Sequence, residues 1–286
     1  MAIRSSFRQL RMGETWYYLD TEKNTPPAYN MAVDECLLKW HRNKEIPPVL
    51  RFYEWEPAGL SVGYFQKTKG KINFKALTEH HIELVRRLTG GRAVLHDQEL
   101  TYSVIVAESH PKMPASVKEA YKVISKGLLE GFRNLDIEAS FAIPEGKLQT
   151  TQSAVCFEEP SWYELIVDGK KAAGSAQTRQ KGVILQHGSI PPIHVDNTKL
   201  YDLFEYPSEK VKARAMHAFK DKAVSLEEAS PGGEIKIDLA KRAFKQGFEK
   251  GLDIVFENFT LSMEQEEEIH SVMNQKYKDD AWNLSR

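Results

Sequence analysis

The segment Arg86-Arg87-Leu88-Thr89-Gly90-Gly91-Arg92-Ala93-Val94-Leu95-His96-Asp97-Gln98-Glu99-Leu100-Thr101-Tyr102-Ser103-Val104 joins two apolar stretches through a pair of glycines. After the glycines, apolar side chains alternate from Leu100 to Val106, which predicts a half-buried strand. Glycine tolerates positive φ and lets the backbone approach a ligand closely. Arg87 and Arg92 flank the pair, and a guanidinium suits carboxylate or phosphate groups. The pattern predicts either a cationic binding loop or a tight hairpin with surface arginines.

Two further segments accompany this loop in the chain. Asn30-Met31-Ala32-Val33-Asp34-Glu35 precedes it, and Lys171-Ala172-Ala173-Gly174-Ser175-Ala176 follows it. In this order the three segments resemble the motifs of the lipoate–protein ligase and octanoyltransferase superfamily, from about Thr15 onward. Ser153-Ala154-Val155-Cys156-Phe157, with Pro160-Ser161-Trp162-Tyr163-Glu164 after it, most resembles the cysteine-dependent octanoyltransferases of Gram-positive bacteria.

The resemblance implies an α+β fold, the biotin/lipoate protein ligase-like catalytic domain, with a mixed, largely antiparallel sheet flanked by helices. Hydrophobic periodicity agrees with it. Capping boxes predict helices that start after Ser116 and Ser262, and Asp238 is a candidate cap for another. A helix is also predicted from about Asn30. Asp168-Gly169 predicts a hairpin turn within an antiparallel meander over residues 162–190.

We expect one catalytic domain over residues 12–286, with a C-terminal helical element at about 238–286. The basic residues 1–11 lack periodicity and are interpreted as a disordered leader or tag, with Met12 as an alternative start. The run Ser230-Pro231-Gly232-Gly233 is the best candidate for a linker.

Composition limits the classes of function. The 286 residues carry 39 basic and 40 acidic side chains, so no overall field favours nucleic acid or a membrane surface. No apolar run reaches the length of a membrane span, and no signal-peptide core is present. Two cysteines do not make a disulfide scaffold, and no Cys/His cluster has zinc spacing. We therefore expect a cytoplasmic protein without a bound metal.

The two cysteines differ in context. Cys36 lies in the apolar stripe of Val33, Leu37 and Trp40, which predicts a buried core position. Cys156 follows a segment without periodicity, residues 142–151, that is typical of a surface loop. The resemblance implies that Cys156 is the acyl-accepting nucleophile. The adjacent acidic residues at 158 and 159 raise a thiol pKa above its ordinary value of about 8.5, so the thiolate needs a nearby cation.

The resemblance assigns that role to Lys171, a catalytic residue that contacts the acyl carbonyl or tunes the nucleophile. Lys170 must point to the opposite face of the same strand. His187 is the rival activator, because a Cys–His pair is common in hydrolases, although the resemblance favours a structural role for it. The resemblance also implies substrate contacts from Arg87, Gly90, Gly91, Arg92, His96, Gly174, Ser175 and Ala176.

The expected activity is acyl transfer of the lipoyl(octanoyl) transferase type, with a cysteine thioester intermediate and no cofactor. The expected donor is octanoyl-acyl carrier protein, and the acceptor is a lipoyl domain such as the glycine cleavage H protein. The alternatives are an ATP-dependent lipoate–protein ligase, a lipoyl or octanoyl amidotransferase and a non-catalytic carrier-binding module. The basic stretch Lys210, Lys212, Arg214 and Lys220 is either a docking surface for an acidic carrier or a solvated helix face.

Overall fold

The computed structural model describes residues 13–21, 25–142, 163–192, 197–219 and 222–286. The strands in this part are β1 Glu14–Asp20, β2 Val49–Tyr53, β3 Gly59–Val62, β4 Glu83–Arg86, β5 Val94–His96, β6 Leu100–Ala107, β7 Ser140–Phe141, β8 Leu165–Val167, β9 Lys170–Gln180, β10 Val183–Ile190 and β11 Ile254–Asn258. The helices are α1 Pro27–Arg42, α2 Phe74–Glu79, α3 Val117–Arg133, α4 Asn197–Asp202, α5 Glu209–Phe219, α6 Leu226–Ala229, α7 Ile237–Leu252, α8 Met263–Val272 and α9 Asp280–Asn283, with a π-helical segment at Met273–Tyr277.

Eight strands form one mixed sheet in the order β11-β1-β2-β6-β10-β9-β8-β7. Strand β1 pairs in parallel with β11 and β2, whereas the β2–β6–β10–β9–β8–β7 part is antiparallel. The predicted meander is present as β8, β9 and β10. Asp168 and Gly169 make its first turn with φ values of 49° and 76°, as the Asp-Gly pair predicts.

Strand β6 is buried on both faces, so the prediction of a half-buried strand is wrong. Leu100, Tyr102, Val104 and Val106 face one apolar core, and Ile105 faces a second. Helices α3 and α7 cover the first core, and α1 and α8 cover the second. A strand between two helical layers must be apolar on both faces, except where buried polar side chains have partners.

Helix ends follow local capping chemistry. Ser262 and Gln265 form the predicted capping box, with backbone-to-side-chain bonds of 3.3 and 2.9 Å. Helix α1 begins at Pro27, three residues before the predicted start, because proline suits the first helical position. The predicted cap of α7 is wrong: Lys236 is the N-cap residue and Asp238 lies in the first turn, where its charge favours the positive helix end.

Helices α3 and α7 approach each other through glycines. A Cβ atom on Gly247 would lie 2.6 Å from the carbonyl oxygen of Gly127, and one on Gly251 would lie 2.7 Å from the amide nitrogen of Gly127. A Cβ on Gly131 would collide with the ring of Phe244. Backbone atoms cannot move aside as a flexible side chain can, so this interface requires glycine.

Gly247→Ala should therefore destabilise the protein by about 1–3 kcal/mol through overpacking, although alanine is the better helix former by about 1 kcal/mol. Urea unfolding measures the change. Gln246→Ala, at the neighbouring exposed position of α7, is the control and should stay within about 0.5 kcal/mol of the parent protein. Equal stability of the two variants would contradict the close helix contact.

The smaller sheet has the order β4-β3-β5 and forms a third core with α2 and α4. The segment with the glycine pair Gly90-Gly91 leaves this sheet at the end of β4, and the chain returns to the sheet as β5. The sequence analysis did not predict β5. The Ser230–Gly233 run joins α6 to α7, and Leu226 and Phe244 on its two sides belong to one core. Among the described residues, no helix is both long and apolar enough to cross a membrane.

Candidate active site

The glycine loop, residues 87–93, lies directly on the turn that follows β3. The Tyr64 amide donates to the Thr89 carbonyl at 2.8 Å, and a Cβ atom on Gly63 would collide with the carbonyl oxygen of Gly91. Gly91 has φ of 93°, so the Gly-Gly pair supplies the positive φ that the sequence predicted. Gly90 is half-buried and Gly91 is exposed, so the tip of the loop is open to a ligand.

The guanidinium of Arg87 is buried inside the loop that it flanks. Its two terminal nitrogens donate to the carbonyl oxygens of Ser61, Gly90 and Arg92 at 2.7, 3.0 and 2.9 Å. These bonds fix the backbone shape of the loop. Arg92 is half-exposed, and of the two flanking arginines it is the one closer to solvent. Direct contact of either residue with substrate stays a prediction.

His96 is held under the loop by a chain of hydrogen bonds. Arg87 donates to the Ser61 hydroxyl at 2.8 Å, and that hydroxyl lies 2.6 Å from Nε2 of His96. Nδ1 of His96 bonds to Glu99, and the imidazole stacks on Trp55 with ring centroids 3.9 Å apart. His96 thus supports the loop, and its imidazole is almost fully buried; its contact with substrate stays a prediction.

The segment Gly174-Ser175-Ala176 lies on β9, next to the glycine loop. The position of a Cβ on Gly91 is 4.0 Å from the Cβ of Ala176. The Ser175 hydroxyl accepts a 2.7 Å hydrogen bond from Tyr102, and burial raises the pKa of that phenol to about 12. Two of the sequence motifs, separated by more than eighty residues, therefore meet at one place.

Lys171 is buried at the start of β9, whereas Lys170 is half-exposed, as strand alternation predicted. The Lys171 ammonium donates to the carboxylate of Glu164 at 2.7 Å, and the two side chains are 1% and 3% exposed. A lysine buried this deeply needs a charged partner. The pair lies at the edge of the described structure, because residues 143–162, including the predicted nucleophile Cys156, are outside it.

Cys36 is a core residue. Its side chain is 1% exposed, and burial, helped by Glu268 and Glu35, raises its pKa to about 12. A thiol with this pKa is protonated at neutral pH and is a poor nucleophile. The predicted core position of Cys36 is confirmed.

A family model described as the lipoyl protein ligase A/B catalytic domain matches residues 26–249. The chain belongs to this family. Chains of known structure that share its fold include a bipartite lipoate protein ligase from Thermoplasma acidophilum, with a TM-score of 0.75, 22% identity and 96% of each chain covered. A lipoate-protein ligase A bound with ATP has a TM-score of 0.72 and 23% identity, over 96% of this chain and 98% of that one. The predicted fold class is confirmed.

Sequence relatives narrow the class within the lipoyl protein ligase A/B family. The octanoyltransferase LipM of Bacillus subtilis is 56% identical over 278 residues, covering 96% of this chain and 99% of the relative. The octanoyltransferase LipM of Halalkalibacterium halodurans is 53% identical, covering 96% and 100%. The chain is an enzyme of the acyltransferase class, and the predicted octanoyltransferase activity is confirmed.

A second buried chain of hydrogen bonds, which the sequence analysis did not predict, supports the loop of this family member. The Thr89 hydroxyl lies 2.7 Å from Nε2 of His187, and Nδ1 of His187 lies 3.2 Å from Asp34. Asp34 also accepts from Arg51 and Ser103, each at 2.9 Å. The sequence held one signal of this chain: Arg51, Ser103 and His187 are polar residues within apolar strands. Polar residues at such positions need buried hydrogen-bond partners.

The charge states follow from burial and partners. Burial is the largest influence on the pKa values of both His187 and Asp34. It lowers the pKa of His187 below the ordinary value despite the opposing influence of Asp34. Burial alone would raise the pKa of Asp34, but the bond from His187 and the charge of Arg51 outweigh it and hold that pKa below the usual range. A neutral His187 then donates from Nδ1 to Asp34 and accepts from Thr89 at Nε2.

This arrangement predicts a pH dependence of stability. The unfolded chain protonates His187 near pH 6.5, whereas the folded chain resists it, so the free energy of unfolding should fall as pH drops below about 6.5. Asp34 adds a loss at lower pH, when its carboxylate is protonated. His187→Asn should make the slope between pH 7.5 and 5.5 shallower, by up to about 1.4 kcal/mol per pH unit. Urea unfolding at several pH values measures it.

The control is His81→Asn, because His81 is exposed and has no part in this hydrogen-bond chain. Its slope should match that of the parent protein. If His187→Asn also keeps the parent slope, His187 is not buried in the neutral form.

Proposed function

We propose that this enzyme takes an octanoyl group from acyl carrier protein onto Cys156 and passes it to a lysine of a lipoyl domain, such as the glycine cleavage H protein. Two relatives that match over nearly their whole length are named octanoyltransferases, which supports octanoyl as the transferred acyl group. The observation that carries the proposal is the contact between the glycine loop and the Gly174–Ala176 part of β9. The buried Lys171 precedes Gly174 by three positions on the same strand. This contact supports the proposal because it would give the acyl group a binding corner on rigid elements.

The chemistry divides into two balanced steps. In the first, the Cys156 thiolate attacks the thioester carbonyl, the new carbon–sulfur bond forms as the bond to the carrier sulfur breaks, and the carrier leaves as a thiolate that takes a proton from solvent. In the second, the neutral amine of the acceptor lysine attacks the enzyme thioester, and the amide carbon–nitrogen bond forms as the bond to the Cys156 sulfur breaks. The proton that the amine loses goes to solvent, which leaves Cys156 as a thiolate. The thioester already carries the activation, so neither step consumes ATP.

Lys171 supplies the charge that this chemistry needs. Negative charge develops on the carbonyl oxygen in each tetrahedral state, and a preorganised cation in a dry site stabilises it strongly. Glu164 accepts a hydrogen bond from the buried Lys171 ammonium, and this bond fixes the direction of the lysine side chain. Glu164 is thus a positioning residue for Lys171. His187 has both ring nitrogens bonded to Thr89 and Asp34, which supports a structural role over that of a base.

Mixing the enzyme with octanoyl-acyl carrier protein in the absence of ATP should add one octanoyl group to Cys156. Rapid quenching, intact-mass spectrometry and peptide mapping detect it. Adding a lipoyl domain should then discharge the adduct to the acceptor lysine. Cys156→Ser should abolish the thioester adduct, whereas Cys36→Ala should retain it, because Cys36 is buried in the core.

Two results would overturn the covalent scheme. One is an octanoyl adduct on Cys36, or no adduct at all in rapidly quenched samples of the parent protein. The other is turnover that requires ATP and free octanoate, which would assign the protein to the ligases instead.

The Lys171–Glu164 pair gives a separate prediction. Lys171→Met leaves a buried carboxylate without its cation and should cost about 3–5 kcal/mol of stability. The double variant Lys171→Met with Glu164→Gln removes both charges, and it should recover much of that stability. Neither variant should form the octanoyl adduct at an appreciable rate, because the ammonium is missing in both.

Urea unfolding and adduct formation are measured on the same samples. Lys170→Met is the matched control, since Lys170 is half-exposed on the other face of β9, and it should change neither quantity. A double variant that is stable and acylated at the parent rate would remove Lys171 from the mechanism.

A further inference from the structure

An aromatic side chain is presented to solvent beside the glycine loop. Phe65 is 73% exposed, although the residues on both sides of it are more covered. It lies two residues beyond Gly63, which touches Gly91, and one beyond Tyr64, whose amide bonds to Thr89. Phe65 is therefore an apolar group at the edge of the candidate active site.

The turn that carries Phe65 is held rigidly from beneath. The buried Arg86 guanidinium donates to the carbonyl oxygens of Gly63, Tyr64 and Gln66 at 2.7, 3.2 and 2.9 Å. It also donates to the carbonyl oxygen of Asn283, which ties the turn to the C-terminal helix α9. An aromatic side chain on a fixed turn costs little backbone entropy on binding, and aromatic residues, phenylalanine included, are enriched in protein–protein interfaces.

The residues that follow Phe65 are cationic. Lys67, Lys69 and Lys71 are exposed, and none of them has an ion pair with a described residue. The chain has no acidic residue from 57 to 78. The whole protein has a formal net charge of −1, so this positive charge is local. We call Phe65, Lys67, Lys69 and Lys71 the Phe65 surface.

The basic helix α5 differs from the Phe65 surface because acidic groups lie beside its lysines. Lys212 forms an ion pair with Asp202, and His80 is 3.4 Å from the same carboxylate. Glu205 and Glu209 line the same cavity as Lys212 and Asp202, which has a volume of about 340 Å³. Positive and negative groups are mixed there, so a docking site on this helix, one of the two interpretations of its basic residues, has weaker charge support than the Phe65 surface. Lys220 lies outside the described residues.

We propose that the Phe65 surface docks the acidic carrier domain that delivers the acyl thioester; this rests on the proposed function. Charge complementarity selects an acidic partner. The donor arm of an acyl carrier protein contains a negatively charged phosphodiester, which the lysines attract. The acceptor presents a lysine in place of a phosphodiester, so it lacks this attraction. The surface therefore favours the donor over the acceptor.

The test compares two acyl donors with the Lys67→Glu, Lys69→Glu, Lys71→Glu triple variant and with Phe65→Ala. With octanoyl-acyl carrier protein, each variant should raise the KM for acylation of Cys156 about tenfold at low ionic strength. The effect of the triple variant should shrink in high salt, because the screening length falls to about 3 Å at 1 M. With octanoyl-N-acetylcysteamine, an uncharged thioester without a protein, both variants should match the parent enzyme.

The controls change the same groups elsewhere. The control triple variant Lys44→Glu, Lys126→Glu, Lys181→Glu replaces three exposed lysines and so changes the net charge by the same amount. Met263→Ala removes an apolar side chain that is 79% exposed. These controls should keep the parent KM with both donors. Melting temperatures should also be unchanged, because Phe65 is exposed.

Several outcomes would overturn the proposal. One is that both Phe65-surface variants keep the parent KM with octanoyl-acyl carrier protein, and another is that the control triple variant raises this KM equally. The others are a raised KM with the small donor and a defect confined to transfer to the acceptor. A melting temperature several degrees lower in Phe65→Ala would show that the protein itself covers Phe65. An unacylated parent enzyme would instead refute the proposed function, so the two failures are distinguishable.

Discussion

The buried carboxylate of Asp34 is the interaction on which much of the structure depends. It lies on α1 and receives hydrogen bonds from Arg51 on β2, Ser103 on β6 and His187 on β10. An unpaired charge at this depth would cost several kcal/mol, so the helix can pack on the sheet only in the register that pairs it. Through His187 the same carboxylate reaches Thr89, and the shape of the glycine loop is thereby tied to the core.

The two adjacent arginines of the motif solve two different structural problems. Arg86 holds the turn at Gly63 and the C-terminal helix, and Arg87 holds the carbonyl oxygens of the glycine loop itself. Each guanidinium donates to several backbone carbonyl oxygens at once, and hydrogen bonds to a charged donor are stronger than those between neutral groups. A loop that is open at its tip and rigid at its base follows from this, and such a loop suits the positioning of a substrate carbonyl.

In the proposed mechanism, the Lys171–Glu164 pair links burial to catalysis. A water-excluded site makes a cation more effective toward a developing oxyanion, but a buried cation without a counter-charge is costly. The carboxylate of Glu164 offsets that cost. In the proposed mechanism the lysine therefore works as part of an ion pair whose orientation matters as much as its charge.

Several features followed from the sequence because local chemistry determines them: the Asp-Gly hairpin, the Ser262 capping box, the helix that begins after Ser116, and the core position of Cys36. The motif segments also indicated the family and its fold. Only the tertiary structure showed that Arg87 binds its own loop, that Lys171 pairs with Glu164, and that both faces of β6 are buried. These contacts join residues far apart in the chain, and periodicity within one element cannot tell whether a second layer covers its other face. Buried polar partners are chosen by packing, which is a property of the whole fold.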